Sequence, residues 1–400
     1  MKRQKRIDVI NSAGNLLLQL LCIAAYFVFS ELVLNFTIFK GVKTDFDYYG
    51  NLAFSREDAE IAAKFRRDIV SLGEERQISI PETIIFKYKP AERESFTLNS
   101  DGFRNREFSE KEKDEFRIAV FGDSKVFGFS VQDSGTISSI AERKLRERFR
   151  RNITVLNMGV EGYDLQRSIA AAKFYLEKID PDMLVFYSWI IDIHAVFDHG
   201  NVDWEPFKGG EKLIPGIEGR EEDKNIYDKI RLLNTLKHTY ISDAEKLTRR
   251  MSGSDIPALP IPIEKIDYAE KFPETYLGRM SEATSFFDKK GIPSLFILPA
   301  MLHIKRPLSN NEKMSLYKNE MYSPGINLFS VKCIEGVKEA LKTGKYGTNI
   351  IDQSEIFQGV TETVFFDGIH YTPTFMRVAA DHIADELIKT LETGGYFEKK

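Results

Sequence analysis

Short apolar segments alternate with helical patterns from Arg117 to near the end of the chain. Such segments, rich in β-branched and aromatic residues and followed by helices, predict a buried parallel sheet with crossover helices on both faces. Strands are predicted near 117–122, 153–157, 183–188, 293–298 and 349–351. Helices are predicted near 134–150, 164–179, 267–290, 327–342 and 373–392. The expected fold class is therefore α/β, with three layers and a central sheet of about five strands.

The first predicted strand ends in the tripeptide Gly122-Asp123-Ser124. A serine on the turn from strand to helix is held by backbone on both sides and lies near helix N–H groups. Gly-Asp-Ser alone is a common turn sequence and most often a solvated loop. Parallel sheets, however, place their ligand sites beyond the carboxyl ends of their strands. Ser124 is therefore a candidate nucleophile.

An aspartate and a histidine three residues apart lie near the other end of the chain, in Asp367-Gly368-Ile369-His370. Thr372 and Pro373 follow, a pair typical of a helix start. An aspartate can orient an imidazole that takes a proton from a serine. We therefore predict a catalytic triad of Ser124, His370 as general base and Asp367, the alternative being an ordinary surface histidine. Three other histidines near the predicted site lack this context: His194, His199 and His303.

Together these segments resemble the sequence blocks of the SGNH hydrolases, the GDSL-type esterase superfamily. Gly122-Asp123-Ser124 is similar to the first block, Gly162 to the glycine of the second, and Asp367 to His370 to the last. The blocks occur in the family's order over residues 95–392. The third block differs, because Trp189-Ile190-Ile191-Asp192 stands where the family has Gly-x-Asn-Asp. The resemblance implies a flavodoxin-like fold and acyl-enzyme chemistry that needs no cofactor.

The missing asparagine affects the expected oxyanion hole. The resemblance implies three donors, namely the N–H groups of Ser124 and Gly162 and the asparagine side chain, which Ile191 cannot replace. Removing one such donor costs on the order of a hundredfold to a thousandfold in rate. The hydroxyl of Ser188 and the indole N–H of Trp189 are possible substitute donors. The alternative for Trp189 is packing in the core.

Other parts of the domain carry weaker predictions. Asp192 is expected to organise its loop or to bind substrate hydroxyls. Arg104, in the segment before the first strand, is expected to form a structural salt bridge or to contact an anion. Glycines and prolines interrupt the pattern at about 198–266 and predict an insertion. The insertion could shape substrate access or form a partner surface.

An apolar segment at 13–39 is long enough to cross about 30 Å of hydrocarbon. Basic residues within 1–12 precede it, and the positive-inside rule keeps such a terminus in the cytoplasm and sends the rest across. A cleaved signal peptide is the alternative. The predicted organisation is a cytoplasmic terminus at 1–12, a transmembrane anchor at 13–39, a spacer at 40–94 and an SGNH hydrolase-like domain at 95–400.

Composition excludes several functions. The net charge of −4 gives no reason to expect a nucleic-acid partner. No histidine or cysteine cluster has metal-site spacing, and no glycine-rich phosphate loop is present, so we predict neither metal nor cofactor.

The predicted function is that of a single-pass, membrane-anchored, extracytoplasmic serine esterase that cleaves acyl esters, such as acetyl esters, of carbohydrate or lipid. The alternatives are an O-acyltransferase that modifies cell-surface polysaccharide with the same triad, and a catalytically weak glycan-binding module.

Overall fold

The computed structural model describes residues 55–73, 77–81, 83–200, 258–347 and 349–397. The described part begins with helix α1 (Arg56–Ser71). Two small antiparallel hairpins follow, formed by β1 (Gln77–Ser79) with β2 (Phe86–Tyr88) and by β3 (Ala91–Glu92) with β4 (Thr97–Leu98).

The central sheet has five strands that pair in parallel. They are β5 (Phe116–Gly122), β6 (Ile153–Gly159), β7 (Met183–Tyr187), β8 (Ser294–Leu298) and β9 (Ile350–Asp352). Their spatial order is β6-β5-β7-β8-β9, which is the flavodoxin-like 2-1-3-4-5 order. The predicted α/β sheet is thus confirmed, and β5, which leads to Ser124, lies inside it between two neighbours.

The remaining described helices follow in chain order. They are α2 (Ser124–Phe127), α3 (Ile137–Phe149), α4 (Leu165–Ile179), α5 (Ile190–His199), α6 (Ile263–Asp288), α7 (Asn310–Tyr322), α8 (Ile326–Lys342) and α9 (Pro373–Thr393). The helices α2, α5 and α7 were not predicted, and the other helices match their predicted positions within a few residues.

Alternating side chains of the strands form a core on each face of the sheet. On one face, Ile118 and Val120 pack with apolar residues of α3 and α9. On the other face, aromatic rings stack along the sheet, with centroid distances of 5.7 Å between Phe121 and Phe186 and 4.9 Å between Phe186 and Phe296. This two-sided burial explains why the strands appear in the sequence as nearly continuous apolar runs.

Part of the predicted spacer belongs to the folded domain. Helix α1 buries Ala62, Phe65 and Ile69, whose spacing of three and four residues places them on one face of the helix. The anchor predicted at 13–39 and most of the insertion predicted at 198–266 lie outside the described residues. Within the ranges described, no helix has both the length and the apolar character that crossing a membrane requires.

Candidate active site

Ser124 lies at the carboxyl end of β5, as the first residue of the short helix α2. The preceding residue, Asp123, caps this helix, because its Oδ1 accepts a hydrogen bond from the Lys125 N–H at 2.8 Å. The helix also packs tightly on β6, since a Cβ at Gly159 would lie 2.2 Å from the Phe127 nitrogen. The backbone around the candidate nucleophile is therefore held on both sides.

Arg104 holds the C-terminal end of the same helix through hydrogen bonds to its carbonyl oxygens. The five guanidinium donors of arginine all find acceptors here. These acceptors are Asp133 Oδ1 at 2.6 Å and the carbonyl oxygens of Phe127, Gly128, Ser95 and Val131 at 2.7–3.2 Å. Arg104 is 4% exposed and forms the structural salt bridge. The sequence alone did not distinguish this role from contact with an anion.

The three predicted triad residues meet. Ser124 Oγ lies 2.6 Å from His370 Nε2, and His370 Nδ1 lies 2.7 Å from Asp367 Oδ2. The other oxygen, Asp367 Oδ1, accepts from the N–H groups of Ile369 at 2.8 Å and His370 at 2.6 Å. Burial raises the pKa of the Asp367 carboxyl, but the His370 charge and these hydrogen bonds outweigh burial and lower the pKa overall. The carboxylate is therefore ionised and orients the imidazole.

The serine and the imidazole are shielded from solvent. Ser124 is 2% exposed and His370 is 0% exposed. Phe129 stacks on the imidazole with a centroid distance of 4.3 Å, and Phe366 stacks at 5.8 Å. Phe65 of α1 contacts Phe129 in turn, at 5.1 Å. Aromatic packing thus holds the imidazole ring in the plane that places Nε2 at the serine.

Helix α1 also caps α9, which begins three residues after His370. The N-cap residue Thr372 makes no side-chain capping bond of its own. Instead Asp58 Oδ1 accepts from the Thr374 N–H at 3.1 Å and from the Thr374 hydroxyl at 3.0 Å. Asp58 is 4% exposed. No sequence signal identified this contact, because it joins residues 316 positions apart.

A buried ion pair holds the loop that leads to Asp367. Lys305 Nζ donates to Glu312 Oε2 at 2.9 Å and to the carbonyl oxygens of Pro307 and Val360 at 2.7 and 2.8 Å. Glu312 Oε1 accepts from the N–H groups of Val364 and Phe365 at 2.9 and 3.2 Å. Every donor of the ammonium has an acceptor. We refer to Lys305 and Glu312 as the Lys305 cluster.

Two of the three oxyanion donors implied by the resemblance are backbone groups at neighbouring strands. As the first residue of α2, Ser124 has no intrahelical acceptor for its N–H. Gly162 has φ of +84° in a turn closed by a 3.1 Å bond from Tyr163 N to Val160 O, which suits glycine. Val160 N also donates to Gly122 O at 3.0 Å, which ties this turn to the nucleophile strand.

The substitute donors predicted for the missing asparagine have other partners. Ser188 Oγ donates to Asp192 Oδ2 at 3.2 Å, and Trp189 Nε1 donates to Pro299 O at 3.1 Å with the indole fully buried. Neither side chain is therefore available to an oxyanion in this structure. Ile191 has no donor, so the two backbone N–H groups remain.

Asp192 lies in the first turn of α5, not in a loop, and holds the first residue of α4. It is 4% exposed, and its two carboxylate oxygens accept from the Leu165 N–H at 3.1 and 3.2 Å. Burial, together with the nearby carboxylate of Asp164, raises the pKa of Asp192 to about 8. Its oxygens bond to the backbone of α4 and to Ser188, and substrate binding by Asp192 stays a prediction.

No protein-family model and no curated protein matches this sequence. Solved structures do match. An acetyl xylan esterase is 14% identical, with a TM-score of 0.34, over 68% of this chain and 100% of that chain. The lipase/acylhydrolase from Enterococcus faecalis is 12% identical, with a TM-score of 0.35, over 68% and 95%. A two-domain esterase active on acetylated mannans is 13% identical, with a TM-score of 0.34, over 69% and 49%.

These three structures are named as esterases and an acylhydrolase. Identities this low say nothing about which residues act. The functional conclusion therefore depends on the arrangement of Ser124, His370 and Asp367. Among the described residues, no group of three or more histidine, cysteine, aspartate or glutamate side chains could hold a metal ion.

Proposed function

We propose that this protein is a serine hydrolase of the SGNH type that cleaves an acyl ester through an acyl-enzyme on Ser124. The observation that carries the proposal is the continuous chain of hydrogen bonds from Ser124 Oγ to His370 at 2.6 Å and from His370 to Asp367 at 2.7 Å. A nucleophile, a base and a group that orients the base are the parts that acyl transfer through serine requires.

The reaction follows from this geometry. Ser124 Oγ attacks the ester carbonyl while its proton passes to His370 Nε2, and the N–H groups of Ser124 and Gly162 stabilise the oxyanion. The intermediate then collapses, and the leaving alkoxide takes the proton from His370. Water attacks the acyl-enzyme in the second half, with His370 again as base, and the carboxylic acid is released. Asp367 stabilises the imidazolium in both halves.

The finer proposal concerns substrate and location. We infer that the substrate is an acetylated carbohydrate. Two of the similar structures are named for such substrates: an acetyl xylan esterase and an esterase active on acetylated mannans. We also infer that the apolar segment 13–39 anchors the chain, with the hydrolase domain on the extracytoplasmic side.

A second function is favoured by the exclusion of solvent from the triad. Ser124 and His370 are 2% and 0% exposed. A site closed to bulk water protects an acyl-enzyme from hydrolysis. The same triad could then pass the acyl group to a sugar hydroxyl, which would make the protein an O-acyltransferase for polysaccharide.

The test is turnover of a chromogenic acetyl ester by the full chain and by Ser124→Ala, with and without glycan acceptors. Hydrolysis that is lost in Ser124→Ala and unchanged by acceptors supports the esterase. Acetylated glycan as the main product supports the transferase. Glycan binding without turnover of any ester would refute both and leave a binding module, as Ile191 first suggested.

A further inference from the structure

Several buried polar atoms close to the nucleophile have no hydrogen-bond partner. They are Asp123 Oδ2, Lys125 Nζ, His194 Nε2 and both ring nitrogens of His303. Lys125 is 0% exposed and His303 is 1% exposed. Buried polar atoms are nearly always paired, so each of these unpaired atoms indicates a position where a ligand or a water can bind. We refer to Lys125, His194 and His303 as the Lys125 cluster.

The three side chains come from three different strand ends. Lys125 follows Ser124 on α2, His194 lies on α5 after β7, and His303 follows β8. The imidazole rings of His194 and His303 are 6.4 Å apart between centroids. The Lys125 ammonium lies 5.6 Å from the centroid of the Tyr371 ring, whose hydroxyl bonds to Tyr187 and Ala300 at the ends of β7 and β8. The cluster therefore lies at the carboxyl edge of the sheet, beside the triad.

An unpaired ammonium in this position is energetically costly. Burial lowers the pKa of Lys125, although the charges of Asp123 and Asp367 partly oppose this effect. Asp123 does not pair with it, since no ion pair within 4.0 Å joins them and Asp123 Oδ1 already accepts from the Lys125 N–H. A buried polar group without a hydrogen-bond partner costs free energy that a bound acceptor would recover.

The donors of the cluster point to the chemistry of the missing partner. An ammonium offers three N–H donors, and each neutral imidazole offers one N–H donor and one acceptor nitrogen. Burial lowers the pKa of His194 to about 4 and of His303 to about 3, so near neutral pH both rings are uncharged donors. A metal cation is disfavoured by the lysine charge. Oxygen atoms that carry a negative charge match convergent donors and form the stronger, charge-assisted hydrogen bonds.

We propose that Lys125, His194 and His303 form a subsite for a carboxylate of the ester substrate. This inference depends on the proposed function, because Ser124 and the adjoining Lys125 would contact the same molecule. The carboxylate would form a buried, hydrogen-bonded ion pair with the Lys125 ammonium, which otherwise has no partner. It could belong to the acyl group or to the alcohol.

The test compares three esters: phenyl acetate is neutral, monophenyl succinate carries a carboxylate on the acyl side, and 4-acetoxybenzoate carries one on the leaving group. The measured quantity is the ratio of kcat/KM for each charged ester to that for phenyl acetate, which cancels general effects on the triad. We expect at least one ratio to favour the charged ester in the wild type. In Lys125→Met that ratio should fall about tenfold or more.

Matched variants make this result specific. Lys173→Met removes an exposed lysine of α4 and should keep the wild-type ratios. His303→Asn should lower the same ratio that Lys125→Met lowers. If phenyl acetate is hydrolysed and both ratios are unchanged in Lys125→Met, the subsite proposal is wrong and the esterase proposal stands.

Binding separates the two proposals further. In Ser124→Ala, which cannot turn over, monophenyl succinate or 4-acetoxybenzoate should raise the unfolding temperature, and the added Lys125→Met change should abolish that increase. If the wild type hydrolyses no ester, the proposed function fails, and the binding result alone decides on the subsite. An equal increase with and without Lys125 would overturn it.

Discussion

Two lysines of this domain are buried and differ in their hydrogen bonds. Lys305 is 2% exposed and donates to Glu312 and to two carbonyl oxygens. Lys125 is 0% exposed and donates to nothing among the described residues. The Lys305 cluster positions the loop that leads to Asp367. The triad residues that this loop carries are themselves hydrogen-bonded. The Lys125 cluster, one residue from the nucleophile, is left open. The first arrangement maintains geometry, whereas the second is suited to receive a ligand.

The largest expected effect lies in the hydrogen-bonded region. His370→Ala removes the base that activates Ser124 and should lower kcat/KM on a chromogenic acetyl ester by on the order of ten thousandfold to a millionfold. His382→Ala, at an exposed position of α9, is the matched control and should keep wild-type activity. A loss below about tenfold in His370→Ala would mean that the 2.6 Å contact with Ser124 is not catalytic.

The second prediction compares the two lysines directly. Lys305→Met leaves the Glu312 carboxylate buried without its cation and should lower the free energy of unfolding by about 3–5 kcal/mol. Lys125→Met should change it by less than about 1 kcal/mol, because the lost attraction of Asp123 is offset by relief from burying an unpaired charge. Denaturant unfolding of both variants measures this. Equal losses would show that the two lysines have the same structural role.

The third prediction uses pH. Burial holds the folded-state pKa of His303 at about 3, below its ordinary 6.5. As pH falls below 6.5, the unfolded chain takes up a proton that the folded chain does not, so stability is lost from that pH down to about 3. The loss approaches about 1.4 kcal/mol per pH unit. His303→Gln should flatten this part of the curve, with His382→Gln as control. Parallel curves for His303→Gln and wild type would contradict the buried, neutral ring.

The smallest expected effect concerns helix α1. Asp58→Ala removes the acceptor that caps α9 beside His370 and should cost about 1 kcal/mol of stability. It should also lower kcat severalfold with little change in KM, because the imidazole loses its support. Asp58→Asn keeps a side-chain oxygen and should restore both values. If Asp58→Asn is as impaired as Asp58→Ala, the charge rather than the cap matters.

Local sequence patterns predicted the sheet and the contact of Asp367 with His370, for a physical reason. A buried parallel strand must be apolar on both faces, so β5 to β8 appear as apolar runs. The spacing of Asp367 and His370 permits a direct side-chain contact within one turn, and the structure shows it at 2.7 Å. Both patterns, the apolar runs and the spacing of Asp367 and His370, involve residues close together in the chain and can therefore be recognised in the sequence.

The parts that were missed depend on contacts between distant segments. Apolar residues do not collect on one face of helix α7, so the sequence lacked the helical periodicity that would have predicted it. Helix α5 begins at Ile190 in a mostly apolar stretch that suggested a loop after a strand. The environment of Lys125 depends on His194 and His303, and the cap of α9 depends on Asp58. The substitute donors Ser188 and Trp189 failed for the same reason, because their actual acceptors became evident only in the fold.

The most direct test of the account is covalent labelling of the full chain with a fluorophosphonate, which reacts with a serine activated by its own histidine and needs no knowledge of the substrate. We expect stoichiometric labelling of the wild type at Ser124, and none in Ser124→Ala or His370→Ala. An intact, folded wild type that resists the reagent at high concentration would contradict the claim that the 2.6 Å contact between Ser124 and His370 activates a nucleophile.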